Sequence, residues 1–252
     1  MSIAHLDYPA EKLAPFGRGK IEMEVSNEIE ASMRLVACSK EPWTVAVIES
    51  LAPEEVFWDI GANVGSYTLL AAARNLAVVA FEPVSENYGT LCRNLALNNL
   101  LDQVLALCIG LGPGDGLAWM HRSDMRSGAA SHLVTEDPKK VSFHKQLIPV
   151  LGGDTAARYF KLPLPHAIKL DVDGTEREVL QGMEGILASE QLRILLIEMH
   201  TEWDGALTVW LKERGWIVEE QFDPRGPIYY ARFGRAVKQP IGVTPTVVGN
   251  QA

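Results

Sequence analysis

The sequence predicts an α/β fold, with a mostly parallel sheet covered on both faces, a helical N-terminal extension and a terminal antiparallel hairpin. Three observations carry this. Short apolar runs recur as "VFWDI", "AVVAFE", "QVLALCI", "AIKLD" and "RILLIEM". Stretches rich in helix formers separate them, and strands alternating with helices imply a parallel sheet. "WIVEEQF" and "IYYARF", joined through "DPRGP", read as the closing hairpin.

The elements follow in chain order. Residues 1–20 carry Pro9, Pro15, Gly17 and Gly19 and read as an irregular arm. Residues 26–51 read as helical, with a break near Ser39–Pro42. "VFWDI" is a strand that runs into turn chemistry, and "SYTLLAAARN" is the helix after it. The second strand spans Ala77 to Glu82. In the next helix Ser85 is a candidate N-cap, and Tyr88, Leu91, Cys92 and Leu95 recur at helical spacing. "QVLALCI" is the third strand. Residues 110–165 lack a regular pattern. "AIKLD" leads into the helix "TEREVLQGMEGILA", and "RILLIEM" into "GALTVWLKERG", which Gly215 ends. Leu91, Leu95, Val179 and Leu180 fall at core positions. The organisation expected is an extension over 1–51, a main domain over 52–235 and a loose tail over 236–252.

Composition narrows the function. The 252 residues, 47% hydrophobic and 22% charged, allow one large domain with a core. The net charge of −9 argues against a nucleic-acid partner, which needs clustered Lys and Arg. Cys38, Cys92 and Cys108 read as free thiols. There is no signal-peptide run and no stretch near the roughly 20 apolar residues of a membrane span, so a cytoplasmic protein is expected. The apolar N-terminal helices cover either the core or a second subunit of a homo-oligomer.

Ligands of such sheets sit outside the carboxyl ends of the strands, which selects Asp59, Glu82, Asp171, Glu198 and His200. In "DIGANVG", Gly61 and Gly65 allow a tight strand-to-helix turn, and the next helix points free N–H groups at it. Asp59 sets a negative charge beside the loop, which disfavours an anion and favours an ammonium or sulfonium. Glu82 follows Asp59 by 82 − 59 = 23 residues, near the spacing of about 20 at which an acid accepts hydrogen bonds from ribose hydroxyls. Together these describe a pocket for an adenosine with a cationic amino-acid tail, and S-adenosylmethionine fits. Asp59, Gly61, Asn63, Gly65 and Glu82 line it, with Ala62, Ser66 and Pro83 beside them. A dinucleotide fits less well, because the G-x-G-x-x-G fingerprint is absent, and no P-loop follows.

"VFWDIGANVGSYTLLAA", "AFEPVSENYGTLCRNLALN", "IKLDVDGTEREVLQG" and "LLIEMH" together resemble the FkbM-type methyltransferases, over roughly Glu28 to Phe233. The resemblance implies a Rossmann-like class I methyltransferase fold, with a seven-stranded sheet whose last strand is antiparallel. It implies a S-adenosylmethionine-dependent enzyme that methylates a hydroxyl oxygen of a sugar, glycolipid or polyketide-like small molecule. The family pattern D-V-E-G-x-E reads D-V-D-G-T-E here, with Asp173 replacing a glutamate, and "LGGDTAARYF" keeps only Asp154 of the usual Thr-Leu-Asp pattern.

Methyl transfer is an in-line displacement that needs alignment and, at a hydroxyl, a proton acceptor. Asp171 either binds the cofactor's amino-acid end or accepts the proton; its bland alternative is a helix cap. His200 is a candidate base, because histidine is the side-chain type suited to proton transfer near neutral pH. Asp173 and Glu176 suit a helix start without any function. "DVDGTE" matches the opening of a calcium loop but lacks the remaining ligands. Asp171, Glu198 and His200 make an alternative metal set, but no compact ligand motif supports it and no metal is expected. His121, His132, His144, Arg122 and Arg126 lie in the irregular middle section, which either covers the substrate or is a solvated insertion. Trp43 and Trp119 either stack on a sugar or anchor packing. The rival functions are a non-catalytic adenosyl-ligand-binding protein and a nicotinamide-dependent oxidoreductase.

Overall fold

The N-terminal arm is more ordered than its prolines and glycines suggest. In the computed structural model, which describes residues 1–122, 124–129, 133–135, 144–202, 204–222 and 226–235, strand β1 (Ser2–His5) pairs antiparallel with β2 (Glu22–Val25). The pairing joins residues about 20 apart, so no local signal announces it. Helix α1 (Ala10–Leu13) lies between them. Residues 26–51 are helical as expected: a π-helical segment Glu30–Arg34, then α2 (Ala37–Lys40) and α3 (Pro42–Ser50). The break falls at Glu41, and Pro42 opens α3, where a missing N–H costs nothing. Ala37, Cys38, Val47 and Ile48 pack into one core with Leu69 and Leu70, so these apolar faces are used within the chain.

The main sheet is built from β3 (Val56–Ile60), β4 (Ala77–Phe81), β5 (Val104–Leu107), β10 (Ala167–Leu170), β11 (Ile194–His200), β12 (Trp216–Phe222) and β13 (Ile228–Arg235). Its order is β12-β13-β11-β10-β3-β4-β5, seven strands. The pairs among β3, β4, β5, β10 and β11 are parallel, and β13 is antiparallel to both β11 and β12. Every residue of β3 and β10 is buried, Asp59 and Lys169 included, because helices cover both faces. Helices α4 (Ser66–Ala73) and α5 (Ser85–Leu97) follow β3 and β4. Val84 holds the cap position of α5 and no side chain caps it, so Ser85 is its first residue, not its cap. Leu91, Leu95, Val179 and Leu180 are buried as expected.

The unpatterned stretch 110–165 holds a second sheet. Strands β6 (Gly110–Leu111), β7 (Gly116–Arg122), β8 (Leu133–Thr135) and β9 (His144–Leu151) pair in the order β6-β9-β7-β8, and α6 (Gly153–Phe160) follows. The helix expected after β10 is split into α7 (Glu176–Gln181) and α8 (Glu184–Ala188). The break is Gly182, where a Cβ would stand 1.9 Å from the Gly112 carbonyl oxygen, so only glycine admits this approach. Helix α9 (Asp204–Glu213) leads to the final hairpin. The three cysteines are free. No helix among the described residues is long and apolar enough to cross a membrane. The 236–252 tail lies outside the described residues.

Candidate active site

From β3 the chain moves through β4 and β5 to one side of the sheet, while β10 and β11 lie on the other. The reversal opens a crevice at the strand ends. Two adjoining cavities occupy it. The larger, about 750 Å³, has Gly61, Asn63, Glu82, Pro83 and Asp171 in its wall and apolar cover from Val84, Ile109, Met120 and Ile148. The smaller, about 360 Å³, is bounded by Lys40, Glu41, Ala62, Ser66, Tyr67 and Lys169. Both include Arg34, Gly61, Asn63 and Asp171.

Backbone geometry shapes the wall. Gly61, Asn63 and Gly65 have φ of 86°, 53° and 93°, the left-handed region. At Gly61 a Cβ would stand 1.8 Å from the Asp171 carbonyl oxygen, so the ends of β3 and β10 meet there only without a side chain. The turn delivers the Asn63 N–H to Glu82 Oε2 at 2.8 Å, and the Val84 N–H reaches Glu82 Oε1 at 2.8 Å. Burial pushes the Glu82 carboxyl up to about 7 against these two bonds. Asn63 Nδ2 also donates to the Ala129 carbonyl, and Arg34 Nε to the Gly128 carbonyl, both at 2.9 Å. These bonds hold residues 124–129 against the cavity.

Two of the residues expected in the wall stand behind it. Asp59 is buried and lines neither cavity; its Oδ2 accepts the Thr68 hydroxyl at 2.6 Å. It lies one residue before the end of β3, where α4 covers the sheet. Gly65 is also absent from both walls and starts α4 against Leu91.

Lys169 is the charge that organises the centre. It sits directly across from Asp59 in the β3–β10 register and two residues before Asp171 on the same face. Its Nζ donates to Asp171 Oδ2 at 2.6 Å, and the rings of Tyr67 and Tyr230 flank it at 5.1 and 5.7 Å. Burial opposes its charge, but Asp171, Glu41 and Asp59 outweigh burial and hold the ammonium above its usual range. For Asp171 burial also opposes charge, yet Lys169 and the Tyr230 hydroxyl, 2.8 Å away, bring its carboxyl below the usual value.

A second acidic group lies beyond it. Glu198 Oε2 is 3.7 Å from His200 Nε2 at the end of β11. Glu176 Oε1 accepts the N–H groups of Val172 and Gly174 at 3.3 and 3.1 Å. Glu176, Glu198 and His200 each offer an atom within 4.8 Å of the others. The trio therefore contains Glu176 where the sequence suggested Asp171, because Asp171 turns to Lys169 and Tyr230. Burial pushes Glu176 up to about 7, and burial with the Asp171 charge pushes Glu198 up to about 9.

The middle section contributes differently from expectation. Arg122 is buried and paired with Glu86, and Arg126 is paired with Asp124 at the surface at 2.6 Å; neither lines the two cavities. His121 is buried and His144 starts β9, while His132 lies outside the described residues. Trp43 stacks on Phe222, with centroids 5.4 Å apart, and is a packing anchor. Trp119 is half-buried on β7, and its neighbour Met120 faces the cavity instead. Arg34, Lys169 and Tyr230 were not singled out from sequence. Only Lys169 carried a signal: a lysine inside a strand buried on both faces requires an acidic partner.

Residues 59–218 match the Methyltransferase FkbM domain, well over half of the chain. The chain belongs to the FkbM methyltransferase family. This FkbM methyltransferase is 27% identical over 158 residues to the hexuronic acid methyltransferase AglP of Haloferax volcanii, covering 63% of this chain and 61% of AglP. It is 28% identical over 167 residues to the methyltransferase sdnD of Sordaria araneosa, covering 54% of this chain and 63% of sdnD. The chain thus spans less than two thirds of each relative. Among solved structures, the FkbM methyltransferase of Methylobacillus flagellatus superposes with a TM-score of 0.52 at 16% identity, over 90% of this chain and 58% of that one. The METTL16 MTase domain gives 0.53 at 14% identity, over 88% of this chain and 75% of that one. These two likenesses show the Rossmann-like methyltransferase fold.

Proposed function

We propose that this chain transfers a methyl group from S-adenosylmethionine to a hydroxyl oxygen of a small, sugar-like acceptor. The observation that carries this reading is the pair of cavities joined through Arg34, Gly61, Asn63 and Asp171, with the buried Glu82 carboxylate in the wall of the larger. The larger cavity suits a nucleoside: Glu82 accepts from the ribose hydroxyls, and Pro83 and the apolar cover enclose the base. The smaller cavity suits a zwitterionic tail, with Arg34 facing a carboxylate and Glu41 and Asp171 facing an ammonium. Ala62 and Ser66 complete it; Asp59 and Gly65 shape the loop from behind. When bound, the cofactor supplies a sulfonium-activated methyl.

The chain's own groups supply alignment and proton removal. Asp171 is fixed by Lys169 and Tyr230, so it orients what lies between the cavities. His200, beside Glu198, assists loss of the hydroxyl proton. Alignment is worth up to about 7–11 kcal/mol in favourable cases, and proton transfer about 10²–10⁴-fold. Residues 52–235 form the transferase unit, and the 1–51 extension contributes Arg34, Lys40 and Glu41 to it.

The name of AglP makes hexuronic acids the first acceptors to try. Incubation with methyl-labelled S-adenosylmethionine and a panel of uronic acids, neutral sugars and glycosides should place label on one acceptor class. Label on no acceptor, with the cofactor bound, would favour a non-catalytic binding protein.

A further inference from the structure

We propose that Glu176, Glu198 and His200 form a divalent-cation site where β11 ends beside the start of α7. Each offers an atom within 4.8 Å of the other two, and the Glu198–His200 pair is at 3.7 Å. An ion with bonds of roughly 2.0–2.3 Å holds its ligands up to about 4.6 Å apart, so a small closure of the side chains completes the set.

An independent observation points to the ion. Glu176 is buried, and its Oε1 is fixed by the N–H groups of Val172 and Gly174. Its Oε2 is also buried, yet has no hydrogen-bond partner among the described residues. Among the other acids near the strand ends, Glu82 takes two backbone N–H groups and the half-buried Asp171 takes Lys169 and Tyr230; Asp59 also keeps one unpartnered oxygen, but the Lys169 charge faces it from β10. Among the described residues no Lys or Arg lies within salt-bridge distance of Glu176 or Glu198. Two carboxylate oxygens and an imidazole make a mixed set that suits Mn²⁺ or Zn²⁺. A bound ion would offset the local negative charge and, with the His200 lone pair taken up in coordination, would ease loss of the hydroxyl proton by polarising the acceptor oxygen in place of a free imidazole base. That catalytic consequence rests on the methyl-transfer reading; the binding itself does not.

The test uses the full chain, stripped with a chelator and titrated with Mn²⁺ alone, followed by electron paramagnetic resonance, and with Zn²⁺ alone by calorimetry. One ion per chain is expected. Glu198→Gln and Glu176→Gln should each weaken binding about tenfold or more. At a fixed Mn²⁺ concentration near the wild-type Kd, the unfolding midpoint should rise clearly for the wild type and much less for Glu198→Gln. Should Glu176→Gln fail to fold, Glu198→Gln and His200→Ala carry the comparison. A wild type that binds neither ion, or variants that bind as tightly as it does, overturns the site. No adenosyl ligand is present, so a failure here leaves the cofactor reading untouched, and the reverse also holds.

Discussion

The two sides of the crevice are made in different ways. On the β3–β4 side the wall is backbone. Left-handed residues turn the chain, and the buried acid that reaches the cavity, Glu82, is met by two main-chain N–H groups. On the β10–β11 side it is side chains: Lys169 of β10 and Asp171 just after it reach the cavities, while Tyr230 of β13, Glu176 of α7 and Glu198 and His200 of β11 line neither cavity and stand outside it. A backbone wall is fixed once the turn forms, which suits a ligand that never changes. A side-chain wall can be altered residue by residue without disturbing the sheet, which suits the part of a reaction that differs among relatives.

Changes on the side-chain wall should reach chemistry or stability; changes on the backbone wall should reach cofactor affinity. The largest effect is expected from His200→Ala. It should slow methyl transfer by about 10²–10⁴-fold while S-adenosylhomocysteine affinity holds, as read by single-turnover rates and calorimetry. A weakened affinity would mean that the two walls are not separate. Lys169→Met comes next. It strands Asp59, Asp171 and Glu41 in a buried setting without their cation, and should destabilise the fold by about 3–5 kcal/mol in urea unfolding. A loss under about 1 kcal/mol would show that the carboxylates simply take up protons.

Glu82→Ala should weaken cofactor binding by about 1–3 kcal/mol, the scale for hydrogen bonds to a charged group. Unchanged affinity would remove Glu82 from the ribose. The smallest effect is graded with pH. The Glu82 carboxyl is raised to about 7 in the folded chain, so it is protonated below that pH and is then a poorer acceptor. Cofactor affinity should therefore fall by up to about tenfold in total as pH drops below 7 and level off above it. The same shift makes this group favour the unligated fold at acid pH and lose that contribution as pH rises from its ordinary range through 7. Glu82→Gln should flatten both profiles.

The backbone wall was legible because its signals are local. Gly61, Asn63 and Gly65 sit within five residues of one another, after an apolar run, and the turn follows from what those residues permit. Asp59 was read one step too far: its place in the sequence gave the strand end but not the helix that covers it. The other wall depends on topology. Tyr230 meets Asp171 across 59 residues, and Arg34 reaches Gly128 across 94, pairings that no spacing encodes. The second sheet was missed for the same reason, since Gly116 pairs with Val150 and its strands carry no clean alternation.

The measurement that tests the central claim most directly is calorimetric titration of the full chain with S-adenosylmethionine and S-adenosylhomocysteine, with NADH and NADPH as controls. The joined cavities predict binding of both adenosyl ligands at one site per chain, on the order of micromolar affinity, and no heat from either nicotinamide. Silence from the adenosyl ligands, or binding of a nicotinamide in their place, would contradict the account: the loop at Asp59–Gly65 would then be only a turn, and the crevice a site for another ligand.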